Sequence, residues 1–216
     1  NKARKIGGLW IKLRKLKVTN ALYFREVSCY TKEGSIFKSQ LQKRGICIME
    51  IERKFTLKSL PDNLESYPSH HIEQVYLNYN PVIRARKQDN EYYLTYKGSG
   101  MMARDESNLP LNEESYYHLR EKVDGTVISK RRYLIPLEHP GFKEGFPTPP
   151  SDYSLTIELD VFDAPFAPLI MAEVEFGSKE AAEAFVPPAW FDKDVTYCKE
   201  YHNSYLALEL HHAPEA

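Results

Sequence analysis

Short runs of alternating apolar and polar residues recur along the chain and predict β-strands. Each run is rich in Val, Ile, Tyr and Thr and is bounded by the residues that favour turns. The predicted strands read CIMEIERKFTL, EQVYLNY, PVIRARK, EYYLTYKG, GTVISKRRYLIPL, SLTIELDVF and LIMAEVEF. The sequence QDNE between two of them is typical of a hairpin turn, because Asp and Asn tolerate a left-handed backbone. We therefore expect neighbouring strands to be antiparallel.

Three other segments have the spacing of helices. In LPLNEESYYHLREKV, Asn112 is placed to cap the helix, and SKEAAEAF is expected to begin at Ser178 and to be stopped by Pro187. The third helix is expected in the C-terminal CKEYHNSYLALEL, whereas residues 138–152 are dense in Pro and Gly and predict a loop. The predicted fold class is α+β, mainly β, with a few helices beside the strands.

The composition indicates a globular protein. A chain of 216 residues with 42% hydrophobic residues can fill one good core. No run approaches the about 18 apolar residues of a membrane span, and the first residues lack the apolar stretch of a secretory signal. We expect a cytoplasmic protein with no membrane partner, and the oligomeric state stays open. The cysteines Cys29, Cys47 and Cys198 lack C-x-x-C spacing and are expected to be free thiols.

Charge divides the chain into two parts. Residues 1–48 contain twelve basic and two acidic residues, a net charge of +10, whereas the remainder has 17 basic and 28 acidic residues and a net charge of −11. Met49 is the first methionine. We interpret residues 1–47 as a basic extension that is not part of the native protein, and residues 48–212 as the functional domain. The alternative is a basic arm, built around KLRKLK, for nucleic acid or an anionic membrane surface.

The charged residues of six predicted strands share single faces. Because side chains alternate between the two faces of a strand, residues two apart lie together. The sets are Glu50, Glu52 and Lys54; Arg84 and Arg86; Lys97; Lys130 and Arg132; Glu158 and Asp160; and Glu173 and Glu175. Any one pair would usually mean a solvated sheet face, but six such strands together favour a charged lumen, with the apolar faces packed outside. A barrel of roughly eight antiparallel strands is wide enough for one small ligand.

These residue types predict a metal-bound polyphosphate in the lumen. Carboxylates are hard ligands that suit Mg²⁺ or Mn²⁺, and such ions also bind phosphate oxygens. Arginine binds phosphates through paired hydrogen bonds and lysine binds them as a point charge. The expected chemistry is phosphoryl transfer to water, in which the metal and the cations neutralise the transferred group.

The charged strands resemble a known family, the CYTH domain or triphosphate tunnel metalloenzymes. The family signature E-x-E-x-K is matched in MEIERKF, and the resemblance extends over residues 48–210. VIRARK is similar to the family's R-x-R strand, YLTYKG to its lysine strand, SKRRY to its K-x-R-Y strand, IELDVF to its E-x-D strand and MAEVEF to its paired-glutamate strand. The order along the chain also matches. Glu106 in ARDES is a weaker candidate, at the place of an acid that follows the lysine strand.

The resemblance implies a closed eight-stranded antiparallel β-barrel, the triphosphate tunnel, that hydrolyses inorganic tripolyphosphate to pyrophosphate and phosphate with Mg²⁺ or Mn²⁺. The implied catalytic residues are Glu50, Glu52, Lys54, Glu173 and Glu175. The implied phosphate-binding residues are Lys54, Arg84, Arg86, Lys97, Lys130 and Arg132. The implied metal ligands are Glu50, Glu52, Glu158, Asp160, Glu173 and Glu175. PPAWF and YHNSYL near the end resemble the compact bacterial branch of the family.

Several alternatives stay open at this point. Within the family, thiamine triphosphatases, nucleoside triphosphatases and class IV adenylyl cyclases use the same tunnel, and a non-catalytic polyphosphate-binding module is a further alternative. Nucleic-acid binding is disfavoured for residues 49–216 by their negative charge. GSG at 98–100 lacks the G-K-[ST] of a phosphate-binding loop, and the adjacent pairs His70 and His71, and His211 and His212, lack the spacing of zinc ligands.

Overall fold

A computed structural model gives the structure of the protein. It describes the backbone of residues 2–6, 9–13, 15–18, 21–24, 47–123 and 125–212, and the side chains of residues 47–123 and 125–209. The N-terminal part contains two separate antiparallel strand pairs. They are β1 (Lys2–Ile6) with β2 (Leu9–Leu13), and β3 (Lys15–Val18) with β4 (Ala21–Phe24). The side chains of the proposed basic arm, and Cys29, lie outside the described residues, so the division of the chain into two parts stays a prediction.

Eight strands form a closed antiparallel barrel, as the sequence predicts. They are β5 (Ile48–Leu57), β6 (Ser69–Tyr79), β7 (Val82–Gln88), β8 (Glu91–Lys97), β9 (Ala103–Leu111), β10 (Ile128–Glu138), β12 (Ser154–Phe162) and β13 (Ile170–Glu175). The order around the barrel is β13, β12, β10, β6, β7, β8, β9, β5, and β5 pairs with β13 to close it. Among the described residues from 47 to 212, three further short strands lie outside the ring: β11 (Gly141–Phe142), β14 (Phe185–Val186) and β15 (Phe191–Asp194).

Closure depends on the length of β5. Its first half, Ile48–Ile51, pairs with β9, and its second half, from Glu52 to Phe55, pairs with β13. Strand β9 itself was not among the predicted strands. Its inward side chains are polar, and on its outer face Asp105 and Leu109 are exposed, so neither face has the apolar alternation by which a strand is recognised.

The main hydrophobic core lies outside the barrel wall, as expected from the alternation. The apolar side chains that face away from the lumen pack under loops and short helices; they include Ile51, Phe55, Ile157, Leu159, Ala172, Val174, Phe185 and Phe191. A second outer cluster joins Val75 and Ala85 to Tyr116 of the first helix. Because the apolar faces of the strands are buried outside the barrel, the faces that point into the lumen carry the charged residues.

The helices begin close to the predicted positions. Helix α1 (Glu113–Arg120) is capped by the Asn112 side chain, which accepts a hydrogen bond of 2.8 Å from the Ser115 amide. Helix α2 (Lys179–Ala184) is capped by Ser178, but it ends before β14. The third predicted helix is shorter than expected, since a 3₁₀ turn (Lys199–Tyr201) precedes α3 (Asn203–His212).

The proline-rich segment 138–152 is a loop that is tied to the rest of the fold. Within it β11 pairs with β14, and Phe142 stacks on Phe146 with ring centroids 4.6 Å apart. The centroid of the Phe142 ring also lies 6.3 Å from that of Phe185 in the outer core. These aromatic contacts anchor a segment in which the sequence shows no periodic pattern.

Helix α3 closes one end of the barrel. Near this end the inward positions of the wall become apolar, and Tyr76, Ile128, Phe162 and Met171 form a buried cluster with Ala207 of α3. The amide of Thr126 donates to the Ala207 carbonyl at 2.9 Å. The lumen is therefore a cup that opens at the opposite end. None of the helices in the described ranges combines the length and the apolar character needed to cross a bilayer.

Candidate active site

The lumen is a cavity of about 600 Å³ lined mainly by charged side chains. It contains most of the residues that the sequence singles out. Those that line it are Glu50, Glu52, Lys54, Arg84, Arg86, Lys97, Glu106, Arg132, Glu158, Glu173 and Glu175. The pairing register explains the clustering, since Glu173 lies directly opposite Lys54 on one side and Glu158 on the other. Alternation aims all of them into the barrel.

One wall of the cavity holds a network of glutamates and cations. Lys97 Nζ lies 2.7 Å from Glu50 Oε2 and 2.8 Å from Glu106 Oε2. Arg104 donates to Glu50 at 3.0 Å and to Glu52 at 2.8 Å. Burial would raise the pKa of Glu106, but the nearby charge of Lys97 outweighs it, so this pKa lies well below its usual range. Glu106 is therefore ionised and compensated before any ligand binds.

The adjacent wall is organised around Glu173. Lys54 forms an ion pair with Glu173 and lies 3.2 Å from Glu52. Burial alone would favour the neutral forms, but the attraction between Lys54 and Glu173 raises the pKa of the lysine and lowers that of the glutamate. Arg132 Nη2 lies 2.6 Å from Glu173 Oε2 and also pairs with Glu158. Glu175 lines the cavity one position further along the same face.

Two predicted site residues face inward but lie below the floor of the cavity, toward the closed end of the barrel, and do not line it. Lys130 and Asp160 are ion-paired, both are fully buried, and neither belongs to the cavity lining. Asp160 also holds the Arg132 guanidinium through two hydrogen bonds of 2.6 Å. The Lys130 ammonium lies 5.1 Å from the centre of the Phe162 ring, and burial lowers its pKa to about 8 in spite of Asp160. The pair therefore stands between the charged lumen and the apolar cluster.

Arg84 and Arg86 differ from the other cations of the cavity. They are 5% and 8% exposed, and neither forms an ion pair with a carboxylate in the described part of the chain. Arg86 donates to Gln74 Oε1 at 2.8 Å, and Arg84 donates to Thr95 Oγ1 at 3.1 Å. Arg84 Nε is buried without a hydrogen-bond partner, and burial together with the charge of Arg86 lowers the pKa of Arg84. Buried guanidinium groups without a counter-ion are costly, so this pair is suited to an anionic ligand.

Comparisons with known proteins agree with this geometry. The inorganic triphosphatase of Nitrosomonas europaea is 36% identical over 166 residues, which cover 74% of this chain and 98% of that protein. The chain belongs to the triphosphate tunnel metalloenzyme (CYTH) family.

Solved structures place it in the same family. The crystal structure of the inorganic triphosphatase NE1496 has a TM-score of 0.51 and 33% identity, and covers 74% of this chain and 94% of that one. A second crystal structure of NE1496 has a TM-score of 0.50 and 34% identity, with 74% and 97% covered. No protein-family model matches the chain. This triphosphate tunnel metalloenzyme is thus a homologue of an inorganic triphosphatase.

Membership of the metalloenzyme family implies the use of a divalent metal, and the donor set of the tunnel fits one. Glu50, Glu52, Glu173 and Glu175 present carboxylates to one cavity, and carboxylates are the ligands that hard divalent ions prefer. In the described part of the chain, no three acidic, histidine or cysteine side chains are grouped as a ready metal site. Arg104, Lys97 and Lys54 form ion pairs with three of these carboxylates, those of Glu50, Glu52 and Glu173. Metal binding must therefore compete with the internal ion pairs.

The sequence reasoning missed several residues of the metalloenzyme tunnel. Arg104 could have been found, because it lies two residues before Glu106 on the same strand face. Tyr76 and Asn108 line the cavity, and Gln74 lies beside it and accepts a hydrogen bond from Arg86. His202 carried no sequence signal, since it reaches the cavity only because α3 closes the barrel. Its Nε2 lies 3.1 Å from the Thr196 carbonyl oxygen, and burial lowers its pKa.

Proposed function

We propose that the chain hydrolyses inorganic tripolyphosphate to pyrophosphate and phosphate inside the tunnel, with Mg²⁺ or Mn²⁺ as the metal. The observation that carries this proposal is the pair Arg84 and Arg86, two buried guanidinium groups that have no carboxylate partner among the described residues. A linear triphosphate supplies several negative charges in a row. Similarity to the inorganic triphosphatase of Nitrosomonas europaea supports the same substrate.

The proposed binding mode places the phosphate chain along the basic wall. Arg84 and Arg86 project from β7 about 7 Å apart, the distance between alternate residues of a strand. Each guanidinium has donors that suit phosphate oxygens. Lys54, Lys97 and Arg132 would join them by giving up their internal glutamate partners. The ion pairs of the empty tunnel would thus be exchanged for ion pairs with the substrate, which limits the cost of desolvation.

The proposed metal ligands are on the acidic side of the same cavity. Glu50 and Glu52 on β5 and Glu173 and Glu175 on β13 would hold the ion, with Glu158 at the rim as a further ligand. When bound, the metal supplies charge neutralisation on the phosphate oxygens and a means of activating water. Asp160 was predicted as a ligand, but its burial behind Arg132 suits the positioning of that guanidinium better.

The proposed reaction breaks one phosphoanhydride bond. A water oxygen attacks a terminal phosphorus atom, and the bond from that phosphorus to the bridging oxygen breaks. Glu175 would orient the water and accept its proton, since it is more exposed than Glu173. The Lys54 and Arg132 side chains would neutralise the negative charge that accumulates on the phosphate oxygens. Most of the acceleration would come from positioning and from fixed charges.

The proposal is tested by phosphate release from tripolyphosphate, ATP and thiamine triphosphate by the full chain with Mg²⁺ or Mn²⁺. We expect metal-dependent hydrolysis of tripolyphosphate that is much faster than that of the two organic triphosphates. Glu50→Gln should abolish it, and Glu114→Gln on the exposed side of α1 should leave it unchanged. Folded protein that releases no phosphate from tripolyphosphate with either metal would refute the proposal. Faster hydrolysis of ATP or thiamine triphosphate would instead assign the protein to another branch of the family.

A further inference from the structure

The first residues of helix α3 form part of the floor of the cavity. His202, Asn203 and Ser204 line the cavity. About one turn further along the helix, Leu206 and Ala207 pack into the apolar cluster that closes this end of the barrel. The N-terminal end of this ten-residue helix therefore borders the lumen.

The first two amides of α3 have no hydrogen-bond acceptor among the described residues. His202 is the N-cap, since its backbone is extended (φ −85°, ψ 132°) and its carbonyl accepts a hydrogen bond of 3.0 Å from the Leu206 amide. The His202 ring does not cap the helix, because its Nε2 lies 3.1 Å from the Thr196 carbonyl oxygen and donates to it. The amides of Asn203 and Ser204 are consequently left with no printed partner in the helix or in the neighbouring turns, and Asn203 Oδ1 is buried without a partner as well.

The charges around this helix end favour an anion. The N-terminus of a helix carries a partial positive charge, and its free amides are donors to anions. Burial lowers the pKa of His202, and the positive charges of Lys54 and Arg104 lower it further. Glu52 acts in the opposite direction, but its carboxylate is already held by Arg104 at 2.8 Å and by Lys54 at 3.2 Å. The helix end thus lies among cations, beside an acid that is paired.

Arg84 points independently to an anion at this end of the lumen. It lines the same cavity, is 5% exposed, and its Nε is buried without a hydrogen-bond partner. Val82, two residues earlier on the same face of β7, packs against the same cluster as Leu206. Alternate residues of a strand are about 7 Å apart, and the three residues from Asn203 to Leu206 rise about 4.5 Å along the helix. Arg84 therefore projects into the lumen about one residue pair above the floor.

We propose that the N-terminus of α3 is the inner end of the substrate site, where the amides of Asn203 and Ser204 and the Ser204 hydroxyl bind the terminal phosphoryl group that lies deepest in the tunnel, beside Arg84. This inference rests on the proposed function, because it assigns the position of one end of the same tripolyphosphate. It adds uncharged donors to a site whose other phosphate ligands are charged side chains.

A terminal phosphoryl group suits this position better than an internal one. It has three non-bridging oxygens and carries more negative charge, so that Arg84 and the helix amides can each bind a different oxygen. Met171 belongs to the closed-end cluster, and Glu175 lies four residues further along β13, about 13 Å toward the open end. Water oriented by Glu175 would attack the outer phosphoryl group. The inner group would then belong to pyrophosphate, which should use the same position.

The experiment removes one backbone amide without removing the helix. Proline is favoured at the first position of a helix, and it requires an extended residue before it, as His202 is. Tripolyphosphate and pyrophosphate are titrated calorimetrically into the full chain in EDTA. Asn203→Pro should weaken the binding of both about tenfold, the effect of one hydrogen bond to a charged group.

Two control variants separate the amide from other effects. Asn203→Ala removes the same side chain but keeps the amide, and should weaken binding less than threefold. Lys179→Pro makes the same backbone change at the first position of α2, which follows an extended Ser178 and packs on the outer core. It should change the affinity for either ligand less than twofold.

A measurement on the unmodified protein covers the case in which Asn203→Pro does not fold. In protein labelled with ¹⁵N, the amide proton signals of Asn203 and Ser204 should move downfield when tripolyphosphate is added in EDTA. Unmoved signals would overturn the inference. So would folded Asn203→Pro that binds tripolyphosphate and pyrophosphate as tightly as the unmodified protein, or Asn203→Ala that weakens binding as much as the proline. Failure of the proposed function would look different, since the unmodified protein with metal would then release no phosphate from tripolyphosphate.

Discussion

Replacement of Arg84 by methionine should stabilise the protein while it weakens substrate binding. Arg84 is 5% exposed and has no carboxylate partner among the described residues, and Arg86 projects from the same strand face. At about 7 Å and an effective dielectric constant of about 20, two like charges repel by about 2 kcal/mol. Methionine removes this repulsion and much of the desolvation cost, which together outweigh the attraction between Arg84 and Glu106 that is also lost. Thr95 loses one donor, but its hydroxyl still donates to Asn108 at 2.7 Å.

The expected changes have opposite signs for stability and for binding. The lost hydrogen bond to Thr95 costs about 1 kcal/mol, so Arg84→Met should raise the free energy of unfolding by about 1–2 kcal/mol. For a chain of this size that corresponds to an increase of about 4 °C in the midpoint temperature. Tripolyphosphate binding should weaken about 100-fold, the effect of two charge-assisted hydrogen bonds.

Thermal unfolding without ligand and calorimetric titration with tripolyphosphate in EDTA measure the two quantities. The matched control is Arg53→Met, the same chemical change at an arginine outside the tunnel. Arg53 contacts Asp194 at 2.5 Å and donates to the Ala182 and Phe185 carbonyls, so this variant should lose about 2–4 kcal/mol of stability. If Arg84→Met melts below the unmodified protein, or binds tripolyphosphate with unchanged affinity, the reasoning about an uncompensated cation is refuted.

Three further variants test other parts of the site and fold. The pKa of Glu106 lies below its usual value, mainly because Lys97 outweighs burial, so the stability from this group is present above about pH 4.5 and lost as the pH falls below it. Glu106→Gln should therefore lower the free energy of unfolding at pH 7 by about 1–2 kcal/mol. In urea titrations at several pH values, the free energy of unfolding of this variant should decrease less steeply below pH 5 than that of the unmodified protein. An equally steep decrease would contradict this. Lys130→Met should change the KM for tripolyphosphate less than threefold, because Lys130 lies below the floor of the cavity, and a larger rise would restore it as a phosphate ligand. Asn112→Ala should cost about 1 kcal/mol of stability in denaturant without altering kcat, and a change in kcat would contradict a purely capping role.

Much of the barrel could be predicted from sequence because its two faces differ so strongly. Six of its strands have apolar residues on one face and charges on the other, and β6 was predicted from its Val and Tyr residues. The turn at Asp89 has the residue type that its backbone needs. The eighth strand, β9, was missed because it is polar on the inside and solvent-exposed on the outside. Its Pro110 also made it look like the approach to helix α1.

The sequence predicts which residues belong to the site, but it does not predict which of them form ion pairs with one another. Alternation alone gathers Glu50, Glu52 and Lys54 on one face, but it gives no information on which cation contacts which acid. That Arg104 occupies both Glu50 and Glu52 follows from the register between β5 and β9. Register depends on every strand of a closed barrel at once, and a single strand does not contain it.

The sequence by itself determined the fold class, the inward charged face and the chemistry of a polyphosphate site, because these depend on residue type and on a period of two along each strand. The tertiary structure decided which charges face the cavity and which are compensated. Burial separates Lys130 and Asp160 from the lumen, and the closure of one end by α3 places the first residues of this helix on the floor of the cavity. Both outcomes depend on distances between segments remote in sequence, and local patterns carry no information on those distances.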